Sequence, residues 1–323
     1  MKYLLNLDLI NLFLIQALTI GTVYLIATLG EVLSERAGVV NLGLEGLMEI
    51  GATVAIIVAL ITENAWLGIL AAFVAAAALA TVHAFATVSL KLNQFASGLA
   101  IYIFGVGIGV TFRGYARDVI LGPQALLKIP KIKAAFTSIK IPGLSNIPVI
   151  GSLFSLDVMA YFGLFLGILL WFIFYRTRIG LNIRSVGENP AAADAAGINV
   201  FRLRYITTII GGGLAGVAGG YLIIKIATQI AGETVILGRG WIAIALVIFA
   251  FWDPLRAIIG AYFFGALEAL FYWLQGYFGG ATVVMLKAVP HISAIIILTI
   301  MSIEALRKRI GAPEALGKPY SRE

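Results

Sequence analysis

Between Gly38 and Gly51 the chain reads GVVNLGLEGLMEIG, and within this apolar stretch Asn41, Glu45 and Glu49 recur every fourth residue. If the stretch is helical, that spacing puts all three on one face, beside glycines that let neighbouring backbones approach closely. A charged side chain in hydrocarbon is costly, so such a face turns toward a bundle interior or water. The chemistry open to it is that of a transport path: hydrogen bonding to a polar solute, or uptake and release of protons. For Glu45 a solute contact and a structural hydrogen bond to a neighbouring helix both fit.

Other polar groups interrupt apolar runs more sparsely. Asn93, Gln94 and Ser97 open the run LNQFASGLA, where Asn93 serves equally well as a helix N-cap. Glu268, in GALEALFYW, is expected to face inward toward a partner that the sequence does not identify. His83 and His291 are lone imidazoles with no acidic or thiol cluster at metal-ligand spacing, so no metal site is expected. Tyr102, Phe104, Trp241 and Trp273 carry rings suited to stacking on a base or sugar, or to anchoring at the membrane interface. Lys225 and Lys287 lie near expected outer helix ends, within snorkelling reach of the interface. No phosphate-binding G-x-x-x-x-G-K-[ST] loop, nucleophile–base arrangement or dinucleotide fingerprint occurs. The chain is therefore expected to be neither an ATPase nor another enzyme, and to have no catalytic residues or cofactor of its own.

The elements that must position these groups follow from composition. With 61% hydrophobic and 12% charged residues and a mean hydropathy of +1.00, the chain has too little polar surface for a water-soluble globule. Runs long enough to span a bilayer lie near 10–33, 39–60, 66–90, 94–112, 158–175, 204–225, 238–252, 257–276 and 289–306. The predicted fold is an all-α polytopic integral membrane protein of about nine (8–10) transmembrane helices. The first run lacks a small-residue cleavage site and reads as a helix rather than a removable leader, whereas 238–252 is short enough to be re-entrant or tilted. Glycines at 105, 107 and 109, and at 211–213, 216, 219 and 220, predict tight helix packing. A Gly-interrupted segment in each half, 38–51 and 238–254, hints at an inverted internal repeat with broken helices and the solute path between the halves. The permease domain is taken as residues 1–310, and the polar tail 311–323 as a frayed end of no special role.

Arg176–Arg204 is the longest polar interruption, and it carries five arginines. At its centre Asn189 reads as an N-cap, Pro190 as the first helical residue and Gly197 as the stop, with an alanine-rich turn and a half between them. A helix that short needs a surface to dock on. Either its own protein or a partner groove meets that need. Placing this loop with Arg36, Lys91, Arg256, Arg307-Lys308-Arg309 and the tail puts thirteen of the 23 basic residues on one side. That side should be the cytoplasm, with the N-terminus outside and the C-terminus inside. The basic, Pro- and Gly-rich segment 113–157 then falls outside, as an ordered cap over the pore mouth. The net charge of +7 reflects topology and anionic lipid rather than nucleic acid.

Four stretches carry a family resemblance: ERAGVVNLGLEG at 35–46, LNQFASGLA at 92–100, GLNIRSVGENPAAADAAGINVFRLR at 180–204 and GRGWIAIALVIFAFWDP at 238–254. Together they resemble the ABC-transporter permeases of the branched-chain amino acid, ribose and nucleoside uptake superfamily, and the first is most similar to the nucleoside and simple-sugar branch. Glu49 departs from the pattern, which has an apolar or small residue there. The resemblance implies an importer in the cell membrane built from two permeases, the same or different, two ABC ATPase subunits that hold ATP and Mg, and an extracytoplasmic substrate-binding protein. It makes the loop helix the element that seats on the ATPase. Arg184, Glu188 and Asp194 are then expected to pair with partner charges, and a bulky charged residue at Ala193 to block transport while leaving the fold intact. The substrate path is expected along Asn41, Glu45, Glu49, Asn93, Ser97 and Tyr102. A stand-alone transporter that couples solute to protons through Glu45 and Glu49 is the rival reading.

Overall fold

A computed structural model of the chain describes residues 7–145, 147–228, 234–278, 281–301 and 311–322. In chain order the helices are α1 (Leu7–Glu35), α2 (Leu44–Thr62), α3 (Ala65–Ala84, prolonged to Ser89), α4 (Gln94–Tyr115, prolonged to Leu121), α5 (Ile129–Ala134) and α6 (Val158–Arg176). They continue with α7 (Arg178–Glu188), α8 (Pro190–Ala195), α9 (Val200–Tyr221, prolonged to Ala227), α10 (Arg239–Phe249), α11 (Pro254–Leu274), α12 (Ala281–Lys287) and α13 (Val289–Met301). Among the described residues there is no strand, and seven helices are long and apolar enough to cross a membrane. The chain is an all-α polytopic membrane protein.

The two remaining expected passages fall on α10 and α13. With 11 residues, α10 extends roughly 16 Å, about half the hydrocarbon thickness. The last residues of the 289–306 passage and the Arg307-Lys308-Arg309 cluster lie outside the described residues.

Two expected boundaries move. The second helix starts at Leu44 rather than 39, because Gly38 adopts φ +88° and the Asn41 side chain turns forward to accept the Gly43 N–H at 2.9 Å. Residues 39–42 are therefore held out of the helix. At the other shifted end, α4 and its prolongation pass 112 and run to Leu121, stopping before Gly122 (φ +67°) and Pro123. Arg113, expected in the outer segment, thus lies inside the bundle.

Packing sorts the helices into centre and rim. Over their most apolar stretch α2 and α9 are each 78% buried and α4 only 22%, so α4 is peripheral, with a face turned away from the bundle. The centre is tight because glycines meet backbone: a Cβ on Gly219 would overlap the Met48 carbonyl, and one on Gly51 would overlap Gly216. Seven of the described helices begin on side-chain caps. Asn64, Asn93, Asp157, Thr177, Asn189, Asn199 and Asp253 each accept N–H bonds from the first turn that follows.

Between α4 and α6 the chain forms short helical turns at Pro123–Lys128 and Ile150–Phe154 around α5. Backbone bonds from Ile139 N to Leu156 O (2.8 Å) and from Ile141 N to Phe154 O (3.0 Å) tie the two limbs together. Val149 N donates to Asn11 Oδ1 at 2.9 Å, which sets this segment at the end of the bundle where α1 begins. At the opposite end the tail is not frayed. Residues 311–322 lie against α7, α8 and the Gly38 turn, with Ala315 N donating to Gly187 O (2.9 Å) and Ala315 itself buried. Reading the tail by its polarity missed that its backbone N–H groups and its Tyr320 ring have partners waiting.

Candidate functional site

The two Gly-interrupted segments meet. Glu45, in the first turn of α2, accepts N–H bonds from Gly238 (2.6 Å) and Gly240 (2.7 Å) at the start of α10. One turn further on, Glu49 forms an ion pair with Arg113 in which both side chains are fully buried. Its second oxygen accepts from Thr234 Oγ1 (2.6 Å) and from Val235 N (3.2 Å). Both carboxylates are thus spent on holding residues 234–240 against α2.

The expected single face is corrected here. Asn41 precedes α2, and its own N–H donates to Glu31 Oε1 at 2.8 Å. The far end of α10 is held as well, since the Trp252 indole N–H donates to Glu35 and Arg36 donates to the carbonyls of Phe251 and Trp252.

The loop before α2 is clasped from α3 and α4. His83 Nε2 lies 3.0 Å from the Val40 carbonyl and His83 Nδ1 lies 2.9 Å from Ser97 Oγ, so this buried imidazole has both nitrogens engaged. Gln94 accepts the Val40 N–H at 2.8 Å. Asn93 is exposed and caps α4 through the Ala96 N–H. Tyr102 meets Trp241 of α10 edge to face, with centroids 5.4 Å apart. Ser97 and Tyr102 therefore belong to the walls around 38–43 and α10. The side chain of Asn93 points to the surface.

A cavity of about 560 Å³ opens beside this junction, lined in part by Gln16 and Thr19 of α1, Lys225, Arg239 and Tyr272. Its two cations are balanced. Arg239 pairs with Glu268, which also accepts the Tyr24 hydroxyl at 2.6 Å, and Lys225 lies 3.6 Å from Asp157. Lys225 also donates to the Phe136 carbonyl, so the cavity faces the end that carries the 122–157 segment. The partner that Glu268 needed is Arg239. Sequence reasoning missed Arg113, Arg239, Asp157, Glu31 and Glu35 as members of these networks. The available signal was the rule that a charge in an apolar run needs an opposite charge, which pairs Glu49 with some arginine without saying which.

At the other end, α7 and α8 form a hairpin. Asn189 caps α8 by accepting the Ala192 N–H at 2.9 Å, and Gly197 closes it at φ +83°. Ala191, Ala192, Ala195 and Ala196 are exposed. Ala193 is not: it is packed with Val186 and Val200. A charged residue there damages the hairpin itself, so the expectation of an intact fold is withdrawn. Arg184 lies over the Tyr175 ring (5.1 Å) and, with Glu188 and Asn189, lines a 410 Å³ groove between α7 and α8. Asp194 is already engaged by the tail, with Arg322 at 2.6 Å and Tyr320 at 3.0 Å.

A polytopic helical bundle with two interrupted segments meeting at its centre and a capped hairpin at one end fits a membrane transport permease. Residues 13–304 match the family described as branched-chain amino acid transport system / permease component, and the chain belongs to that family. It is 38% identical to a putative glucose ABC transporter permease of Haloferax volcanii, over 94% of this chain and 95% of that protein. Identity to a guanosine ABC transporter permease of Bacillus subtilis is also 38%, over 92% of each chain. A nucleoside ABC transporter permease of Lactococcus lactis is 32% identical, over 96% of this chain and 97% of that one. No solved structure matches the chain. As a permease subunit of this family the protein is a transport component and not an enzyme.

Proposed function

We propose that this chain forms one half of the pore of an ATP-driven importer that moves a nucleoside or simple sugar into the cell. ATP and Mg are held by two separate ATPase subunits, and a substrate-binding protein delivers solute from outside. A second permease, identical or homologous, completes the pore. The α7–α8 hairpin lies in the cytoplasm, with the N-terminus outside and the C-terminus inside.

The observation that carries this reading is the exposed alanine face of α8, held in place by the Asn189 cap, Pro190 and the Gly197 stop. A short, capped helix with a small-residue face suits a cleft on another protein. Arg184, Glu188 and Asn189 border that face, and Asp194 sets its register through the tail. Movement of the hairpin reaches the 38–43 loop, where Asn41, Ser97 and Tyr102 form walls and Glu45 and Glu49 fix α10. Asn93 acts there only as a cap.

Solute selection is assigned to the 560 Å³ cavity. Its volume lies in the range of small-molecule sites, and its two cations are each matched by a carboxylate, which suits an uncharged polar solute better than an anion. Relatives named for guanosine, nucleosides and glucose point to the same chemistry. Competition by unlabelled nucleosides, pentoses, hexoses and branched-chain amino acids against uptake of labelled guanosine and glucose tests it. Uptake displaced by uncharged ring solutes is expected. Displacement by branched-chain amino acids alone would overturn the substrate class.

A further inference from the structure

The tail from Gly311 to Arg322 threads a notch that only small residues leave open. A Cβ on Gly187 would overlap the Arg36 carbonyl and come within 3.2 Å of Pro313, and Gly38 needs its positive φ where Arg204 and Ala315 close over it. Through this notch the tail makes a ladder of bonds. Glu314 N donates to Glu188 Oε2 (3.3 Å), Ala315 N to Gly187 O (2.9 Å) and Gly317 N to Gly38 O (3.3 Å). Arg204, buried in α9, donates to Ala37 O and to Lys318 O, both at 3.1 Å. Beyond Lys318 the chain turns onto α8. The Tyr320 ring covers the cluster of Val186, Ala193 and Val200 and its hydroxyl donates to Asp194. Arg322 then grips both oxygens of Asp194, at 2.6 and 2.7 Å.

A six-residue helix has no stability of its own, so the position of α8 is set by what holds it. Asp194 is its one carboxylate, and both oxygens are bound by the tail. A bidentate arginine–carboxylate pair fixes direction as well as distance. From Asp194 the connections run through Arg322 and Tyr320 to Lys318, then through Arg204 to Ala37 and the 38–43 loop that leads into α2. Every step is a hydrogen bond or a stretch of backbone.

We propose that the tail is a strap in the coupling apparatus: it locks α8 to the Gly38 turn, so that displacement of α8 by the ATPase is passed to the junction of α2 and α10. This rests on the reading of α8 as the element on which the ATPase acts. Asp194 and Arg322 are positioning residues in it, and neither touches solute.

The test uses the complete transporter in proteoliposomes: this permease, its second permease, its ATPases and its binding protein. Solute imported per ATP hydrolysed is measured for wild type, Arg322→Asp, Asp194→Arg and the double exchange, together with the unfolding temperature of each. Each single reversal is expected to lower the ratio about tenfold, within the span of ordinary coupling energies. The double exchange, which restores opposite charges across the same gap, is expected to recover it. A wild-type ratio in Arg322→Asp, or a loss that the double exchange does not recover, would overturn the strap. If wild type itself imports nothing with ATP, it is the importer reading that fails, ahead of the strap.

Discussion

The Glu45 carboxylate lies across the N-terminus of α10, with one oxygen 2.6 Å from Gly238 N and the other 2.7 Å from Gly240 N, joining positions 195 residues apart at the farther. A helix start carries unsatisfied N–H groups and a partial positive charge, and a carboxylate answers both. The approach requires glycine, since a Cβ on Gly240 would lie 2.6 Å from the Glu45 backbone. This contact gives Glu45 a structural role, holding the start of α10 against α2.

Replacing Glu45 by Gln puts an amide N–H₂ where one of two buried acceptors stood. The expected cost is about 1–3 kcal/mol, that of a buried N–H left unpaired. Unfolding temperature in detergent should drop and import should fall with it. An unchanged unfolding temperature would contradict the capping role.

Glu49 and Arg113 form a pair with no access to solvent. Removing either partner alone strands a buried charge and should cost about 3–5 kcal/mol, whereas Glu49→Leu with Arg113→Met should recover part of that loss, the Val235 N–H and Thr234 hydroxyl still lacking their acceptor. A double-mutant cycle on thermal unfolding measures the difference. Additive losses would show that the two side chains do not depend on each other.

Much of this arrangement was legible in the sequence. The apolar runs located the helices, including the short α10, and the Asn189, Pro190 and Gly197 pattern gave α8 nearly residue for residue, because caps act over four residues and are written locally. The network around Glu49 was not legible. Its partner Arg113 is 64 residues away, and its position inside the bundle depends on α4 running past an end that hydropathy alone placed at 112. Asn41 was misplaced for a related reason. A period of four fits a helix, but the turn that starts at Gly38 runs through Asn41, so the first member of the pattern lies before α2 begins at Leu44. The tail was misjudged because polarity says nothing about whether backbone N–H groups find acceptors.

On α8, Ala192 and Ala193 should separate docking from folding. Ala192 is exposed, so Ala192→Glu should leave the unfolding temperature near wild type while the ATPase no longer co-purifies. Ala193 is 3% exposed among Val186 and Val200, so Ala193→Glu buries a charge and should lower the unfolding temperature. Retention of the ATPase by Ala192→Glu would remove the exposed face from the docking surface.

At the end of the bundle that carries the 122–157 segment, Glu63 bonds Lys131 and Lys128, which hold its carboxyl down at about 2, against an ordinary value of 4.5. For a carboxylate with a lowered folded value, the contribution is complete above the ordinary value and fades as pH falls through the folded one. Protection of the α5 amides from hydrogen exchange should therefore hold above 4.5 and decline between 4.5 and about 2. Glu63→Gln should show the unclipped level at every pH. Equal profiles for the two proteins would mean that the clip does not order this segment.

The most direct test of an externally powered permease is solute accumulation in sealed vesicles that carry this chain with the ATPases, second permease and binding protein proposed for it. ATP would be varied, with and without a protonophore. Accumulation is expected to require ATP on the α8 side and to survive collapse of the proton gradient. Accumulation without ATP that disappears with the protonophore would contradict it, and would return Glu45 and Glu49 to the role of proton carriers.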